Sequence, residues 1–348
     1  MPTITSDGLH ALSRAVCAAT GSREREANLV ADQLVEANLT GHDSHGVGLL
    51  PVYVEKVRAG LLVPNRHAQL VSKRGTVLVI EGNRGYGQVI GYEAMELGMA
   101  RAGEQGVALL GVRNSFHLGR IGHLAEQCAR GGFASVHFVN VIDHAPLQAP
   151  YGGAQARFST NPFCAALPGE DGAAVVLDMA TSKIAIGKAR VARNKGVPAP
   201  EDSLLDAEGR TTRDAGVMFQ EPQGALIAMG EHKGSGLAII CELLAGALTG
   251  GRTSQPGHAQ AGGIINNMLS VIIDPGVFGD RRRLLDEIGA LVGYVKSARP
   301  RPGFDEVLVP GEPERRRRAE HLAHGIEVDK RTWAEILDAA RSLGLTGD

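Results

Sequence analysis

The chain has 348 residues, of which 21% are charged, and its formal net charge at pH 7 is −2. This length favours two or three domains over one. The balanced charge argues against nucleic acid or an anionic membrane as the main partner. The sequence shows no secretion signal and no apolar run long enough to span a membrane. We therefore expect a cytoplasmic protein that binds a small molecule.

The first sixty residues carry the signals of three helices, predicted at residues 6–19, 22–39 and 51–59. A serine stands at the start of each of the first two, and Pro51 suits the first turn of the third. The polar residues 41–46 separate the second helix from the third. They are therefore expected to form a loop held between two helices.

From residue 68 onward, apolar runs typical of strands alternate with helical patterns. Asp329 can cap a last helix with one apolar face, which we expect to pack on the N-terminal helices. The alternation predicts an α/β protein. Strands are predicted at residues 76–81, 107–112, 133–139, 174–177 and 270–273, and helices at residues 88–104, 121–130, 183–193, 236–247 and 282–297.

A glycine-rich turn, Gly-Tyr-Gly-Gln-Val-Ile-Gly at residues 85–91, follows a predicted strand and opens a helix, as a Rossmann phosphate loop does. Its spacing is one residue longer than the dinucleotide fingerprint, and no carboxylate ends the next strand at residues 107–112. The turn therefore fits a tight strand-to-helix connection better than a phosphate site.

Two segments bring histidines to positions typical of a site. His42, Asp43, Ser44 and His45 lie together in the loop at residues 41–46, where polar and titratable residues favour a site over a core. Surface capping is the alternative, and a serine hydrolase would need a nucleophile elbow that is missing here.

His117 directly follows the strand at residues 107–112, and such strand ends line ligand crevices in α/β proteins. A zinc site built on His117 and His123 is disfavoured, because their spacing matches no common zinc motif. The four cysteines are far apart and form no C-x-x-C pair, so we expect reduced, mostly buried thiols.

Three further segments place polar residues before helices: Thr160 with Asn161, residues 178–182, and His232 with Lys233. Amides and hydroxyls at helix starts bind anions, and a lysine adds positive charge for phosphate. Ordinary N-capping is the alternative for each segment taken alone. Two such helix starts could cradle the pyrophosphate of a dinucleotide.

Taken together, six stretches in this order resemble the malate/L-lactate dehydrogenase family, which is unrelated to the Rossmann lactate dehydrogenases. Finer details are most similar to its hydroxycarboxylate dehydrogenase B branch, also described as hydroxyphenylpyruvate reductase. The resemblance implies a homodimer with an α/β fold, in which a non-Rossmann NAD(P)-binding domain has a largely antiparallel sheet. The implied domains are a discontinuous helical one, residues 1–72 and 315–348, and a cofactor and substrate domain with an inserted subdomain, residues 73–314. The matching stretches are residues 43–47, 114–119, 160–162, 178–182, 232–234 and 310–312.

The resemblance also implies the chemistry and the residues of the site. His45 and His117 match positions used as the acid/base, and we expect His45 to move the proton, held in its tautomer by Ser44 and Asp178, while His117 orients the substrate oxygen. NAD or NADP is the implied cofactor, and metal is not expected. The cofactor residues implied by the resemblance are Thr160, Asn161, Asp178, Met179, Ala180, Thr181, Ser182, His232, Lys233, Gly311 and Glu312.

One position departs from the family. Many members carry an arginine that grips the substrate carboxylate where this chain has Leu49. Arg120 is the expected replacement, with Arg157 second, and Leu49 favours a bulky apolar or aromatic substrate. We therefore expect interconversion of such a 2-hydroxy acid and its 2-oxo acid. The alternatives are NADPH-dependent reduction of cyclic imino acids such as piperideine- or pyrroline-2-carboxylate, a malate, lactate or ureidoglycolate dehydrogenase, and a non-enzymatic NAD(H)-binding protein.

Overall fold

The structure is a computed structural model and describes residues 1–170, 172–258 and 261–345. Its helices are α1 (Ser6–Ala19), α2 (Glu24–Leu39), α3 (Leu50–Arg58), α4 (Gly87–Gln105), α5 (Ile121–Arg130), α6 (Ile186–Lys195), α7 (His232–Cys241), α8 (Arg281–Lys296), α9 (Glu312–His324) and α10 (Lys330–Ser342). A π-helical segment, Glu242–Leu248, continues α7. The strands are β1 (Thr3–Ile4), β2 (Gln69–Arg74), β3 (Val77–Glu81), β4 (Val107–Ser115), β5 (Ala134–Ile142), β6 (Phe163–Gly169), β7 (Gly172–Met179), β8 (Leu204–Leu205), β9 (Thr211–Thr212), β10 (Ala225–Leu226), β11 (Ile265–Ile273) and β12 (Ile326–Glu327).

The main sheet has the strand order β2-β3-β4-β11-β5-β6-β7. Neighbouring strands in its described residues are antiparallel except β3 and β4, which run parallel with α4 between them. Strand β11 occupies the centre, and most of its residues are buried because both neighbours and the flanking helices cover it. It brings Asn266, Asn267 and Ser270 into the interior, where each needs a hydrogen-bond partner.

The glycine-rich turn at the start of α4 packs tightly against the neighbouring backbone. A Cβ added at Gly87 would lie 2.2 Å from the carbonyl oxygen of His117, and one at Gly91 would lie 2.8 Å from Leu124 Cδ1. These glycines allow the start of α4 to touch the segment after β4. Their role as a tight strand-to-helix connection accounts for the motif without a phosphate.

The N- and C-terminal segments share one hydrophobic core. Strand β1 pairs with β12, and α2 and α3 contact α9 and α10 respectively. Ile336 of α10 is buried in the same cluster as Leu9 of α1 and Leu34 of α2. The prediction that the last helix packs on the N-terminal helices is confirmed. Asp329 caps this helix as expected, since its carboxylate accepts from the N–H groups of Arg331 and Thr332.

Several elements differ from the sequence predictions. The helix predicted at 183–193 begins later, at Ile186, and the one predicted at 236–247 begins at His232 and becomes π-helical. A three-stranded sheet of β8, β9 and β10 has its own small core around Leu204 and Leu226. In the part of the chain that the structure describes, no helix is both long and apolar enough to cross a membrane. All four cysteines are buried free thiols, as expected.

Candidate active site

His45 and His117, predicted on separate segments, lie side by side. Nδ1 of His45 is 3.1 Å from Nε2 of His117, and the two rings are stacked with an interplanar angle of 8°. His45 lies in the turn between α2 and α3, and His117 follows β4. The fold therefore brings together the two acid/base candidates.

A chain of hydrogen bonds continues from this pair into the core. Tyr53 Oη is 2.8 Å from His117 Nδ1, and Gln88 Nε2 donates to Tyr53 Oη over 2.7 Å. Both ring nitrogens of His117 thus have hydrogen-bond partners. In His45, Nδ1 contacts His117 and Nε2 faces away from His117. Because the bonds between the rings can run in either direction, the pair can exist in two neutral tautomeric arrangements.

Burial shifts the protonation of both rings. Loss of solvent lowers the pKa of His45 to about 4, with smaller electrostatic contributions from His42 and Arg120. Burial lowers the pKa of His117 to about 3, with smaller contributions from His45 and His144. Both imidazoles are consequently neutral at pH 7 and available as proton acceptors.

Asn38, at the end of α2, fixes the turn that carries His45. Its Nδ2 donates to Asp43 Oδ1 over 2.7 Å, and its Oδ1 accepts the N–H of Val47 over 2.8 Å. Gly46 makes this possible, because an added Cβ there would lie 2.1 Å from Asn38 Oδ1. The buried amide therefore sets the position of the histidine turn.

The segment that carries His117 is held at both ends by strand β11. The N–H of Asn114 donates to Asn267 Oδ1 over 2.9 Å, and the N–H of Leu118 donates to Asn266 Oδ1 over 2.7 Å. Two adjacent asparagines of the central strand thus bracket His117.

Arg120 and Asp178 lie together beside the start of α5. The Arg120 guanidinium donates to both carboxylate oxygens of Glu126, at 3.2 and 2.7 Å, and its Nε is 3.7 Å from Asp178 Oδ2. The Arg120 side chain is 2% exposed. Asp178 also accepts the N–H of Gly122 at 2.7 Å, and burial raises the pKa of this carboxyl. Arg120 is therefore already paired with carboxylates of the protein.

The remaining predicted catalytic and substrate residues lie in different surroundings. Ser44 is exposed and packs on α6, where an added Cβ at Gly187 would meet its Cβ at 2.7 Å. The nitrogen Nδ1 of His45 contacts His117, whereas the sequence suggested Ser44 or Asp178 as the orienting partner. Leu49 is half-buried against the helical core. Arg157 is exposed and bonds to Ala156 and Gln155, with no described contact to either site histidine.

Part of the predicted cofactor set forms a connected group. The N–H and Oγ1 of Thr181 both donate to the carbonyl of Thr160 over 2.9 Å. The start of α7 packs directly on this pair, since an added Cβ at Gly234 would lie 2.6 Å from the carbonyl oxygen of Thr181. His232 and Lys233 are exposed at the same helix start. Residues from three separate segments thus lie together.

Other predicted cofactor residues make contacts within the protein. Asn161 is fully buried, and its amide is used internally by Glu242 and Ala238. Gly311 lies against β7, with the carbonyl of Pro310 accepting the N–H of Val176. Glu312 pairs with Lys296 and accepts the N–H of Val309, so its carboxylate faces its own loop. Met179, Ala180 and Ser182 continue from Asp178 along the strand end.

Tyr53, Gln88 and Asn38 are site residues that the sequence analysis missed. Tyr53 lies on the first turns of α3, just after the histidine turn, and a tyrosine there is a weak signal. Gln88 is a fully buried polar residue in the glycine-rich turn, which drew attention for a different reason. No cluster of three or more candidate metal ligands occurs among the described residues.

Comparison with known proteins shows the family of the chain. The family described as malate/L-lactate dehydrogenase matches residues 4–337. The chain is 44% identical to hydroxycarboxylate dehydrogenase B of Escherichia coli K12, over 97% of this chain and 93% of the relative. It is 39% identical to an L-lactate dehydrogenase of Cupriavidus necator, over 96% of each chain. A solved structure described as a malate/lactate dehydrogenase from E. coli superposes with a TM-score of 0.95 at 43% identity, covering 99% of this chain and 96% of the other. The chain belongs to the malate/L-lactate dehydrogenase family.

Proposed function

We propose that the protein interconverts a 2-hydroxy acid and the corresponding 2-oxo acid with NAD or NADP, and that His45 moves the proton. The hydrogen-bonded pair of His45 and His117 is the observation that carries this proposal, because such oxidation needs a neutral base beside the reacting carbon. Membership of the family supports the reaction class.

The proton and the hydride leave the substrate separately. NAD or NADP, held by the residues around Thr160 and Thr181, would supply the hydride acceptor for the carbon that carries the hydroxyl, or the hydride donor for the oxo carbon. The hydroxyl proton passes to Nε2 of His45, whose Nδ1 is held by His117. In the reverse direction, the carboxylate of a bound 2-oxo acid favours the protonated imidazole, which then donates to the oxo oxygen.

The residues around Thr160 and Thr181 fit a dinucleotide. Buried Gln148 contacts Thr181 through its Oε1, while its Nε2 has no partner among the described residues. A buried amide donor without a partner is costly unless a ligand or water satisfies it. We propose that Thr160, Thr181 and Gln148 hold the cofactor and that exposed Lys233 pairs with its phosphates.

Arg120 is our proposed contact for the substrate carboxylate. Its Nε has no hydrogen bond in the described structure, so the N–H of this nitrogen is available as a donor although the other two nitrogens bind Glu126. Arg157 is the second candidate. Leu49 is apolar and half-buried, which favours a bulky apolar or aromatic side chain on the acid.

We also propose a homodimer and the domain division at residues 1–72 with 315–348 and 73–314. The exposed face of α7 and its π-helical continuation presents apolar side chains that water would otherwise contact. These side chains, 44–64% exposed, are Ile239, Ile240, Leu243 and Leu248. Static light scattering of the wild type against Leu243→Glu tests whether this face joins two copies, since a monomeric wild type would refute it.

A panel of 2-oxo acids assayed separately with NADH and NADPH tests the activity. We expect phenylpyruvate or hydroxyphenylpyruvate to be reduced with a higher kcat/KM than pyruvate or oxaloacetate. Reduction of pyrroline-2-carboxylate alone would instead assign the protein to imino-acid reduction. Binding of NADH without turnover of any acid would refute an enzymatic role.

A further inference from the structure

A buried polar network lies beneath the site, and the mechanism above does not use it. Glu242, the first residue of the π-helical segment, is 8% exposed, and Asn140, Asn161 and Asn267 are fully buried. An acidic residue in an interior is stable only if its oxygens are well bonded. The hydrogen-bond partners of Glu242 therefore indicate its structural role.

The two carboxylate oxygens of Glu242 accept four hydrogen bonds. Oε1 accepts from Asn161 Nδ2 at 2.9 Å and from the Ser254 hydroxyl at 2.7 Å. Oε2 accepts from Asn140 Nδ2 at 3.1 Å and from the N–H of Ser254 at 3.0 Å. Glu242 thus joins the loop before β6, the strand β5 and the segment after the π-helix.

The network continues from Asn140 to the segment that carries His117. Asn267 Nδ2 donates to Asn140 Oδ1 over 2.9 Å, and Asn267 Oδ1 accepts the N–H of Asn114 over 2.9 Å. An unbroken chain of hydrogen bonds therefore runs from Asn114 through Asn267, Asn140 and Glu242 to Asn161. One end precedes His117 by three residues, and the other follows Thr160 directly.

Two glycines pack directly against the amides of this network. An added Cβ at Gly251 would lie 2.1 Å from Asn267 Oδ1, and one at Gly246 would lie 2.7 Å from Asn140 Nδ2. Gly246 belongs to the π-helical segment, and such local departures from α-helical geometry occur frequently at functional sites. Two glycines thus admit the amides that link the two loops.

We propose that Glu242 is a positioning residue that holds the His117 segment and the Thr160–Asn161 segment at a fixed separation through Asn140 and Asn267. This inference rests on the proposed function, in which the first segment orients the proton-carrying His45 through His117 and the second lines the cofactor. Hydride transfer depends steeply on the distance between donor and acceptor groups, and a misplacement of about 1 Å can cost about 100-fold in rate.

Glu242→Gln is the sharpest test because it preserves shape. Either orientation of the new amide turns an NH2 group toward an NH2 group of Asn140 or Asn161, so at least one link is lost. Ser270→Ala is the matched control: Ser270 is buried on the same strand as Asn267 and bonds to His137, outside the network.

Hydrogen exchange followed by mass spectrometry gives a readout that does not depend on activity. For Glu242→Gln we expect exchange at least tenfold faster in peptides covering residues 113–120 and 158–162, with kcat about tenfold to 100-fold lower and KM changed less. For Ser270→Ala we expect both peptides and kcat to stay within about twofold of the wild type. Unchanged exchange and unchanged kcat in folded Glu242→Gln would overturn the proposal.

A second variant works from the opposite end of the network. Asn267→Asp keeps the acceptor for Asn114 but loses the donor to Asn140. We therefore expect faster exchange at residues 158–162 in this variant as well. This test remains available if Glu242→Gln does not fold. Slow exchange at that distant peptide would contradict the coupling. If the wild type reduces none of the acids, the proposed function fails, whereas the exchange results still decide whether the segments are coupled.

Discussion

Nδ1 of His45 lies 3.1 Å from Nε2 of His117, so one imidazole holds the other by a direct hydrogen bond. The two rings differ in their hydrogen bonds. His117 is engaged at both nitrogens, to His45 and Tyr53, whereas His45 contacts the pair only through Nδ1 and its Nε2 faces away from His117. In the proposed function, the pair is therefore a proton-carrying group backed by an orienting group.

Replacing each histidine by glutamine should separate these duties. His45→Gln should lower kcat by about 100-fold to 10,000-fold, the range for loss of a general acid/base. His117→Gln should lower kcat less, because His45 keeps its proton-transfer nitrogen. Steady-state kinetics on the best 2-oxo acid measures both. Full turnover by His45→Gln together with an inactive His117→Gln would exchange the two roles.

Tyr53→Phe should weaken the support of the pair. The variant leaves Gln88 Nε2 and His117 Nδ1 without their shared partner in the core. We expect a loss of about 1–3 kcal/mol in the free energy of unfolding and a kcat about tenfold lower, with KM little changed. Urea unfolding and initial rates test this, and a wild-type kcat would show that Tyr53 does not position His117.

Arg120→Ala and Glu126→Gln together test how the substrate carboxylate is held. Arg120→Ala leaves Glu126 and Asp178, both mostly removed from solvent, without their cation, so the variant should unfold about 3–5 kcal/mol more easily and show a higher KM for 2-oxo acids. Glu126→Gln frees the guanidinium and should lower that KM. If KM stays constant in both folded variants, Arg120 serves only to position Asp178.

Gly87→Ala should disturb the site rather than the cofactor affinity. The new Cβ would collide with the carbonyl oxygen of His117, so we expect a lower melting temperature and a lower kcat. Gly103→Ala is the control in the same helix, where the nearest atom is Phe133 Cζ at 3.9 Å, and it should stabilise the fold by up to about 1 kcal/mol. A large rise in the Kd for NADH with unchanged kcat in Gly87→Ala would restore the phosphate-loop interpretation.

Buried neutral histidines should make the protein sensitive to acid. Burial lowers the pKa of His137 to about 4, and its ring nitrogens bond to Ser270 and Ser135. A lowered pKa favours the neutral ring, so its stabilisation is complete above about pH 6.5, the unfolded value, and is lost as the pH falls from there toward 4. At pH 5 the loss is roughly 2 kcal/mol. His137→Gln should therefore show a shallower fall in unfolding free energy between pH 7 and 5, and an unchanged slope would contradict this.

Elements with local signals were predicted well from the sequence. The bounds of α1 and α5 agree with the prediction, because a polar start and a glycine end mark each one. Strand β6 was missed because Pro168 and Gly169 end it, and the bounds of α9 were not predicted because its polar and basic residues show no apolar stripe. Local rules describe elements that have caps and a clear period.

The site was predicted in its parts but not in its contacts. Both histidine segments and the Thr160 region stood out by residue type. Their approach depends on Asn267, on the bare backbone of Gly87 and on the pairing of Arg120 with Glu126, which is six residues away and beyond the usual helical neighbour spacing. Such contacts between distant segments leave no periodic trace in the sequence.

The central position of β11 also sets the order in which the molecule can be completed during synthesis. Strands β4 and β5 leave the ribosome well before β11, yet in the sheet they are joined only through it. A nascent chain that ends before residue 265 would carry both histidines but lack the asparagines that bracket His117. Such a chain would also expose two unpaired sheet edges, which are the surfaces that chaperones shield. The segment that carries His117 can therefore reach its final position only when β11, the last strand of the main sheet, is inserted.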